Sequence, residues 1–359
     1  MIKTFELYLI LLFSKKILNT FLIFFTLIFI LNLFEEISFF KDLPINKFEL
    51  IIITFLNIHS TIFLIFPFIF LIAVQLFFIE INEKYEFDLL KVNGLTNLKV
   101  ISIIGVISFF LGIIILITFY NISAKLKFLY LNTKNSFSAD DKYLAVINEN
   151  GLWIKDNVSN MQLIINAKKI NNDTIEDVII NVFDEQFRLK KTIKSKTANI
   201  KDNNWKLDDT VIFVDNQVIE EKDKFLFYSN FTIERISRLF KDLSSLNLIE
   251  LLKLRVDYKN LNYDSDEVDL YLKKIFVFPL QVTIMSLISS ILMLNIKKTK
   301  SYTGYLLIGI LSSVIIYYMN MIFSVLATSK IIPVNLSIFI PMFIIFCFTL
   351  MGFIRINEK

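Results

Sequence analysis

Six long apolar runs, three before and three after a polar middle, constrain this chain more than any other feature of its sequence. An α-helix of about 20 apolar residues spans the ~30 Å hydrocarbon core of a bilayer. The sequence therefore predicts an integral membrane protein with six transmembrane helices, arranged three and three, and one large extramembrane insertion. The runs cover Ile17–Leu33, Ile51–Ile79, Val100–Tyr120, Ile275–Ile296, Tyr302–Leu326 and Ile331–Ile354.

The charged residues follow the same division. They make up 20% of the chain although the mean hydropathy is +0.60, and they concentrate in the polar middle and in the short loops. The net charge of +4 is small and spread along the chain, which does not suggest a nucleic-acid partner. Most of the 38 phenylalanines lie in the apolar runs, where an aromatic ring needs no specific pocket.

The sequence contains few residues of the kinds that usually catalyse reactions or bind metals. Cys347 is the only cysteine and His59 the only histidine, and no acidic cluster with ligand spacing lies near His59. The chain also lacks the Gly-x-x-x-x-Gly-Lys-Ser/Thr loop that cradles nucleotide phosphates. We therefore expect no catalytic residue, no metal site and no cofactor in this chain.

Lysine and arginine indicate the orientation in the membrane. With a cytoplasmic N-terminus, the inner segments carry eleven of these residues against seven on the outer flanks. The short loop Lys297–Lys300 is the strongest single indication, because short loops follow the positive-inside rule best. This orientation places the polar middle in the periplasm. The stretch Phe5–Phe13 is too short to span a bilayer, and we expect it to form an interfacial helix that leads into span one.

The polar middle has the pattern of a β domain. Short alternating stretches separated by polar turns favour an antiparallel sandwich or barrel. A Leu-rich segment, Leu239–Leu254, predicts a helical linker between this domain and span four. The candidate strands are Tyr143–Ile147, Leu152–Lys155, Met161–Asn166, Asp177–Phe183, Arg188–Ile193, Trp205–Leu207, Thr210–Val214 and Phe225–Tyr228.

The loop between spans two and three has helical character. From Glu80 to Gly94 its acidic residues come early and Lys91 comes late, an order that suits the helix dipole, and Gly94 is placed to end the helix. Two interpretations stay open on these residues alone. The segment is either an interfacial amphipathic loop or a coupling helix that fits a groove on a cytoplasmic partner.

Five stretches carry a resemblance to a known family: Ile65–Phe68, Tyr85–Thr96, Asn150–Asp156, Asn204–Leu207 and Lys274–Leu280. The family is that of the LptF/LptG (YjgP/YjgQ) permeases. In the order given, the stretches resemble the family's proline-bearing segment of span two, the glutamate-containing loop after it, two tryptophan-containing strands, and the start of span four with its lysine and proline. Their order and spacing, together with the layout of three spans, a domain and three spans, carry the resemblance over essentially the whole chain.

The resemblance implies a permease subunit, closer to LptG, of the ABC transporter that extracts lipopolysaccharide from the bacterial inner membrane. The implied fold is a six-helix membrane protein with an inserted periplasmic all-β jellyroll. The implied partners are an LptB-like ATPase dimer, a paralogous LptF-like permease, and LptC-like and LptA-like periplasmic bridge proteins. ATP and Mg would be used by the ATPase. The expected domains are 1–124, with a coupling helix at about 81–93, then 125–268 and 269–359.

The resemblance also assigns residues. The coupling-helix glutamate of the family falls on Glu86. Relatives often place lysines near the outer end of span one, whereas this chain has Glu35 and Glu36 first and only Lys41 after them. The implied ATPase-coupling residues are Glu86, Asp88, Leu89, Leu90 and Gly94, and the implied lipid-path residues on spans one and five are Leu33, Phe34, Lys41, Tyr317, Asn320, Met321 and Phe323.

Two other classes of function are compatible with parts of this sequence. A sensory or mechanotransmitting protein would use the β domain to signal inward without moving lipid, but such proteins often carry a cytoplasmic output domain. An intramembrane enzyme would need clustered acids and histidines within its spans. The spans contain no such cluster, and a transport permease is the function that the sequence favours.

Overall fold

The computed structural model describes residues 4–41, 43, 45–92, 94–137, 152–158, 161–171, 173–214, 217–240, 242–260, 264–294 and 302–357. The chain divides into two compact units. A helical unit contains residues 1–127 and 266–359, and a second unit contains residues 128–265.

Six helices of the helical unit are long and apolar enough to cross a membrane, which confirms the predicted arrangement of three and three. A short helix, α3, follows the second span. The helices are α1 (Thr4–Phe39), α2 (Lys47–Glu83), α3 (Glu86–Val92), α4 (Asn97–Ile117), α8 (Asp266–Leu294), α9 (Tyr302–Thr328) and α10 (Val334–Asn357), and α4 is followed by α5 (Phe119–Ser136).

Helix α2 is the centre of this unit. In the most apolar 18-residue segment of α2, 67% of the residues are buried. The corresponding segments of α1 and α9 are each 17% buried. It begins with a capping box, in which the Asn46 side chain accepts a hydrogen bond from a backbone N–H of the first turn and Glu49 accepts from the Asn46 backbone. Because α1, α8 and α9 all pack on α2, residues on this helix reach most of the unit's interior.

Small and polar side chains join the spans. Gln75 on α2 donates a hydrogen bond to the Tyr305 carbonyl on α9 at 2.9 Å, and Ser289 on α8 donates to the Leu71 carbonyl at 2.7 Å. A Cβ on Gly112 would lie 2.9 Å from the Cα of Pro279, so α4 and α8 approach closely at this glycine. Helices in lipid have no hydrophobic force between them, and such contacts supply much of their specific packing.

The second unit contains an antiparallel sheet. Its strands follow the order β1-β2-β4-β5-β6-β7, and β3 pairs with β4. This confirms the inserted β domain. The bounds are β1 (Leu152–Val158), β2 (Met161–Ala167), β3 (Lys169–Asn171), β4 (Thr174–Phe183), β5 (Leu189–Asn199), β6 (Asn204–Val214) and β7 (Gln217–Tyr228), followed by α6 (Ile233–Phe240) and α7 (Leu248–Asn260).

The two tryptophan-containing stretches have structural roles in this domain. Trp205 on β6 is fully buried, and its indole N–H donates to the Phe231 carbonyl at 2.7 Å. The buried Asp156 on β1 accepts hydrogen bonds from Ser229 Oγ at 2.7 Å and from the Asn230 backbone at 2.9 Å. These bonds tie the first strand to the segment that follows the last one.

Several predicted elements differ in extent. The separate stretches Trp205–Leu207 and Thr210–Val214 form one strand, because the backbone between them pairs with β5 and β7. The segment Leu239–Leu254 is divided between the end of α6, a 3-10 turn at Leu243–Ser245 and the start of α7. Phe5–Phe13 is continuous with span one in α1. The predicted strand Tyr143–Ile147 lies outside the described residues.

Candidate functional site

The first candidate region is the loop between α2 and α4, where α3 lies. Helix α2 ends at Glu83, and a turn through Tyr85, with φ 57°, reverses the backbone before α3 begins at Glu86. Phe87 is buried and its ring contacts that of Phe78 on α2, with the centroids 6.2 Å apart. Gly94 has φ 82° and its N–H donates to the Lys91 carbonyl, as expected for a glycine that ends a helix.

Glu86 has a partner within the chain. The Tyr8 hydroxyl on α1 donates a hydrogen bond to Glu86 Oε2 at 2.6 Å. The glutamate expected to contact an ATPase is therefore tethered to the N-terminal helix. Sequence reasoning missed Tyr8, since nothing in the pattern of Phe5–Phe13 connects that stretch with the loop almost 80 residues later.

Ion pairs hold the same region together. Glu80 on α2 pairs with Lys16 on α1 and with Lys84, one turn further along the chain. The Glu80 carboxylate accepts a hydrogen bond from Lys84 and raises the pKa of that lysine. Lys99 at the start of α4 pairs with Glu6 on α1 at 2.9 Å. Helix α1 is thus bonded to each of the elements that flank α3.

The outer surface of α3 is apolar in part. Leu89 is 64% exposed and Val92 88% exposed, which leaves aliphatic side chains available to a partner. Asp88 and Leu90 belong to the same helix, and their side chains lie outside the described ones. Residues 81–83, which the sequence assigned to this element, belong to the end of α2.

The second candidate region is a cavity of about 360 Å³ between α2, α8, α9 and α10. Its walls are mostly apolar and include the rings of Phe63 and Phe278, which stack with centroids 4.6 Å apart. Clusters of buried side chains bound it along the helices, one containing Met285 and Ile316 and the other containing Leu270 and Val334.

The polar residues that line this cavity include one cation, Lys274, and two amides, Gln281 and Asn320. Hydroxyl groups also line it, from Tyr271, Tyr317, Ser324 and Ser337, and both serines donate to carbonyls of their own helices. Lys274 and Gln281 are seven residues apart on α8, so they share a face of the helix and lie roughly 10 Å apart along its axis. Within the part of the chain that the structure describes, no hydrogen bond or ion pair involves the side chains of the cation and the two amides. The cavity therefore combines an apolar wall with one cation and two amides that can bind a ligand.

The predicted lipid-path residues divide between two places. Tyr317, Asn320 and Met321 line the cavity, and both Tyr317 and Met321 are half exposed. Those that do not line it are Leu33, Phe34, Lys41 and Phe323. Phe34 is 66% exposed on the surface of α1.

Lys274 was not among the residues that the sequence assigned to the lipid path. The sequence identifies it only as part of the stretch Lys274–Leu280 at the start of span four. Its neighbours on α2 and α9 are more than 40 residues away in either direction along the chain, so the pattern of span four alone could not reveal a cavity. The single histidine, His59, is buried, and its Nδ1 lies 2.9 Å from the Phe55 carbonyl.

Comparison with known proteins identifies the family to which this chain belongs. No curated protein shows a significant match to this chain. A family description, lipopolysaccharide export system permease LptF/LptG, matches residues 7–355. The match covers both halves of the helical unit and the inserted β domain. With six helices able to span a membrane and the β domain between the third and fourth, the chain belongs to the LptF/LptG family of lipopolysaccharide export permeases.

Proposed function

We propose that this chain is the membrane permease subunit of an ATP-driven transporter that extracts lipopolysaccharide from the inner membrane and passes it to a periplasmic bridge. The observation that carries the proposal is the family match over residues 7–355 on a fold with six candidate spans. The chain has no nucleotide-binding loop of its own, so a partner ATPase supplies the energy. The family description covers both subunits, and assignment to LptG stays a prediction.

The loop that carries α3 is the proposed ATPase contact. Its exposed Leu89 and Val92 and the carboxylate of Glu86 offer an apolar and an acidic element on one short helix. Such a helix fits the helix-in-groove mode of recognition. The β domain is proposed to lie in the periplasm, where its sheet would meet bridge proteins.

The lipid path is tested by photo-crosslinking. A photo-crosslinking amino acid at Phe34 or Phe323 should trap lipopolysaccharide in native membranes, because the family resemblance assigns these side chains of spans one and five to the lipid path. Both lie outside the cavity. Phe110 on α4, which is 60% exposed, serves as the control position and should trap bulk lipid only. Adducts with protein alone at both path positions would contradict the proposal.

A further inference from the structure

We propose that the cavity between α2, α8, α9 and α10 binds an anionic glycerophospholipid of the surrounding bilayer, with Lys274 as the contact for its phosphate. The family resemblance assigns Tyr317, Asn320 and Met321 of this cavity to the lipopolysaccharide path, and the inference gives them a different lipid. Every lining residue belongs to this one chain. Lys274, Gln281 and Asn320 line a mostly apolar cavity, and no hydrogen bond or ion pair within the described residues involves their side chains.

The position of Lys274 along its helix fits a phosphate. Lys274 immediately precedes the apolar run that begins at Ile275. Its ammonium therefore lies at the boundary of the hydrocarbon, which is the level of lipid headgroups. Since no described residue pairs with this ammonium, an anion supplied by the membrane is the partner that would stabilise it.

The amides extend the site toward the hydrocarbon. Gln281 lies two helical turns further into the span than Lys274, and Asn320 lines the cavity from α9. A side-chain amide without a hydrogen bond is costly in an apolar environment. The ester groups of a glycerophospholipid lie just below the phosphate and offer carbonyl oxygens to such donors. The apolar walls around Leu64, Phe68 and Met342 would then contact an acyl chain.

The size of the cavity favours a phospholipid over the transported lipid. Its volume of about 360 Å³ is near the lower end of the ~300–1,000 Å³ typical of small-molecule sites. One inserted acyl chain suits such a volume, whereas a lipid with many chains does not. Among the described residues Lys274 is the one cation that lines the cavity, which likewise suits a headgroup with one phosphate.

The test places benzoylphenylalanine at Phe68, on the cavity wall, in the full-length chain. The protein is reconstituted into vesicles of equal parts phosphatidylglycerol and phosphatidylcholine, irradiated, and its lipid adducts are identified by mass spectrometry. We expect phosphatidylglycerol to predominate at position 68. Lys274→Gln should reduce this adduct about tenfold, as for the loss of one charge-assisted contact, and Lys274→Arg should retain it.

Lys273→Gln is the matched control, because Lys273 is the adjacent cation and does not line the cavity. It should leave the adduct unchanged. The melting temperature of each variant in detergent reports whether it is folded, and it should match that of the native chain. Equal adducts of both phospholipids, equal effects of the two glutamine variants, or displacement of phosphatidylglycerol by added lipopolysaccharide at position 68 would each overturn the inference.

Discussion

At the scale of single residues, polar side chains fix the geometry of an otherwise apolar bundle. Asn57 on α2 donates a hydrogen bond to Asn32 Oδ1 on α1 at 2.9 Å and accepts one from Lys127 at 2.8 Å. Asn32 in turn donates to the Ile28 carbonyl of its own helix. Both asparagines are buried. Lys127 lies on α5, which continues the third candidate span, so these bonds connect the first three spans.

Replacing Asn57 should loosen these spans. Asn57→Leu leaves the Asn32 amide oxygen and the Lys127 ammonium without that bond, and a buried polar group left unsatisfied costs about 1–3 kcal/mol. We expect a lower melting temperature for the full-length chain in detergent. Asn335→Leu, at an exposed position on α10, is the control and should melt with the native chain. Equal melting of all three proteins would show that the bonds contribute nothing measurable.

A second prediction at this scale concerns Glu86. If its carboxylate contacts the ATPase, Glu86→Ala should weaken that association by about 2–5 kcal/mol, as for a truncated charged contact at an interface. Tyr8→Phe should strengthen the association with the ATPase, because it removes the hydroxyl that competes for the Glu86 carboxylate. The amount of ATPase that co-purifies with the tagged chain measures both effects.

Tyr85→Phe provides the control for the tyrosine variant. Tyr85 lies beside α3 and is 69% exposed, so loss of its hydroxyl should leave co-purification unchanged. Unaltered ATPase recovery and unaltered export in Glu86→Ala would remove this residue from the mechanism.

At the scale of elements, the fit between α2 and α9 depends on one glycine. A Cβ at Gly309 would overlap with the Gln75 side chain, which donates to the Tyr305 carbonyl. Gly309→Ala should therefore break this bond within a buried contact. Gly304→Ala on the same helix meets nothing within 4 Å and gains helix propensity. The two variants should differ in unfolding free energy by about 1–3 kcal/mol, and equal values from denaturant or thermal unfolding would contradict this account.

The elements themselves could be predicted from the sequence to different degrees. The spans followed from apolar length alone, since a bilayer requires ~20 apolar residues whatever the tertiary structure. The strand β6 was divided in prediction because Asp208 and Asp209 interrupt its apolar pattern, whereas pairing with two neighbours keeps it continuous. Local pattern carries no information about such pairing.

The candidate site was less accessible to sequence reasoning. The sequence predicts that Tyr317, Asn320 and Met321 lie on span five. The structure shows in addition that they line a cavity. The cavity depends on how four helices from both halves of the chain pack. Lys274 and the bond from Tyr8 to Glu86 arise from that packing, and no spacing along the chain encodes either.

At the scale of the whole molecule, topology is the decisive prediction. With Cys347 replaced, a cysteine at Asn203 in the β domain should react with an impermeant thiol reagent on intact cells whose outer membrane is permeabilised. A cysteine at Lys298 should react only after lysis, because the positive-inside rule places that loop in the cytoplasm. Labelling at position 298 and not at 203 would reverse the proposed orientation.

The bond from Gln75 to Tyr305 has a consequence for biogenesis. Its partners are 230 residues apart in the chain. At about 5–20 residues per second, synthesis reaches the second partner roughly ten to fifty seconds after the first. During that interval span two is already in the membrane, and the Gln75 amide lacks the acceptor that it has in the complete fold. The packing of the first three spans is therefore incomplete until α9 is synthesised, which happens only after the entire β domain has been made.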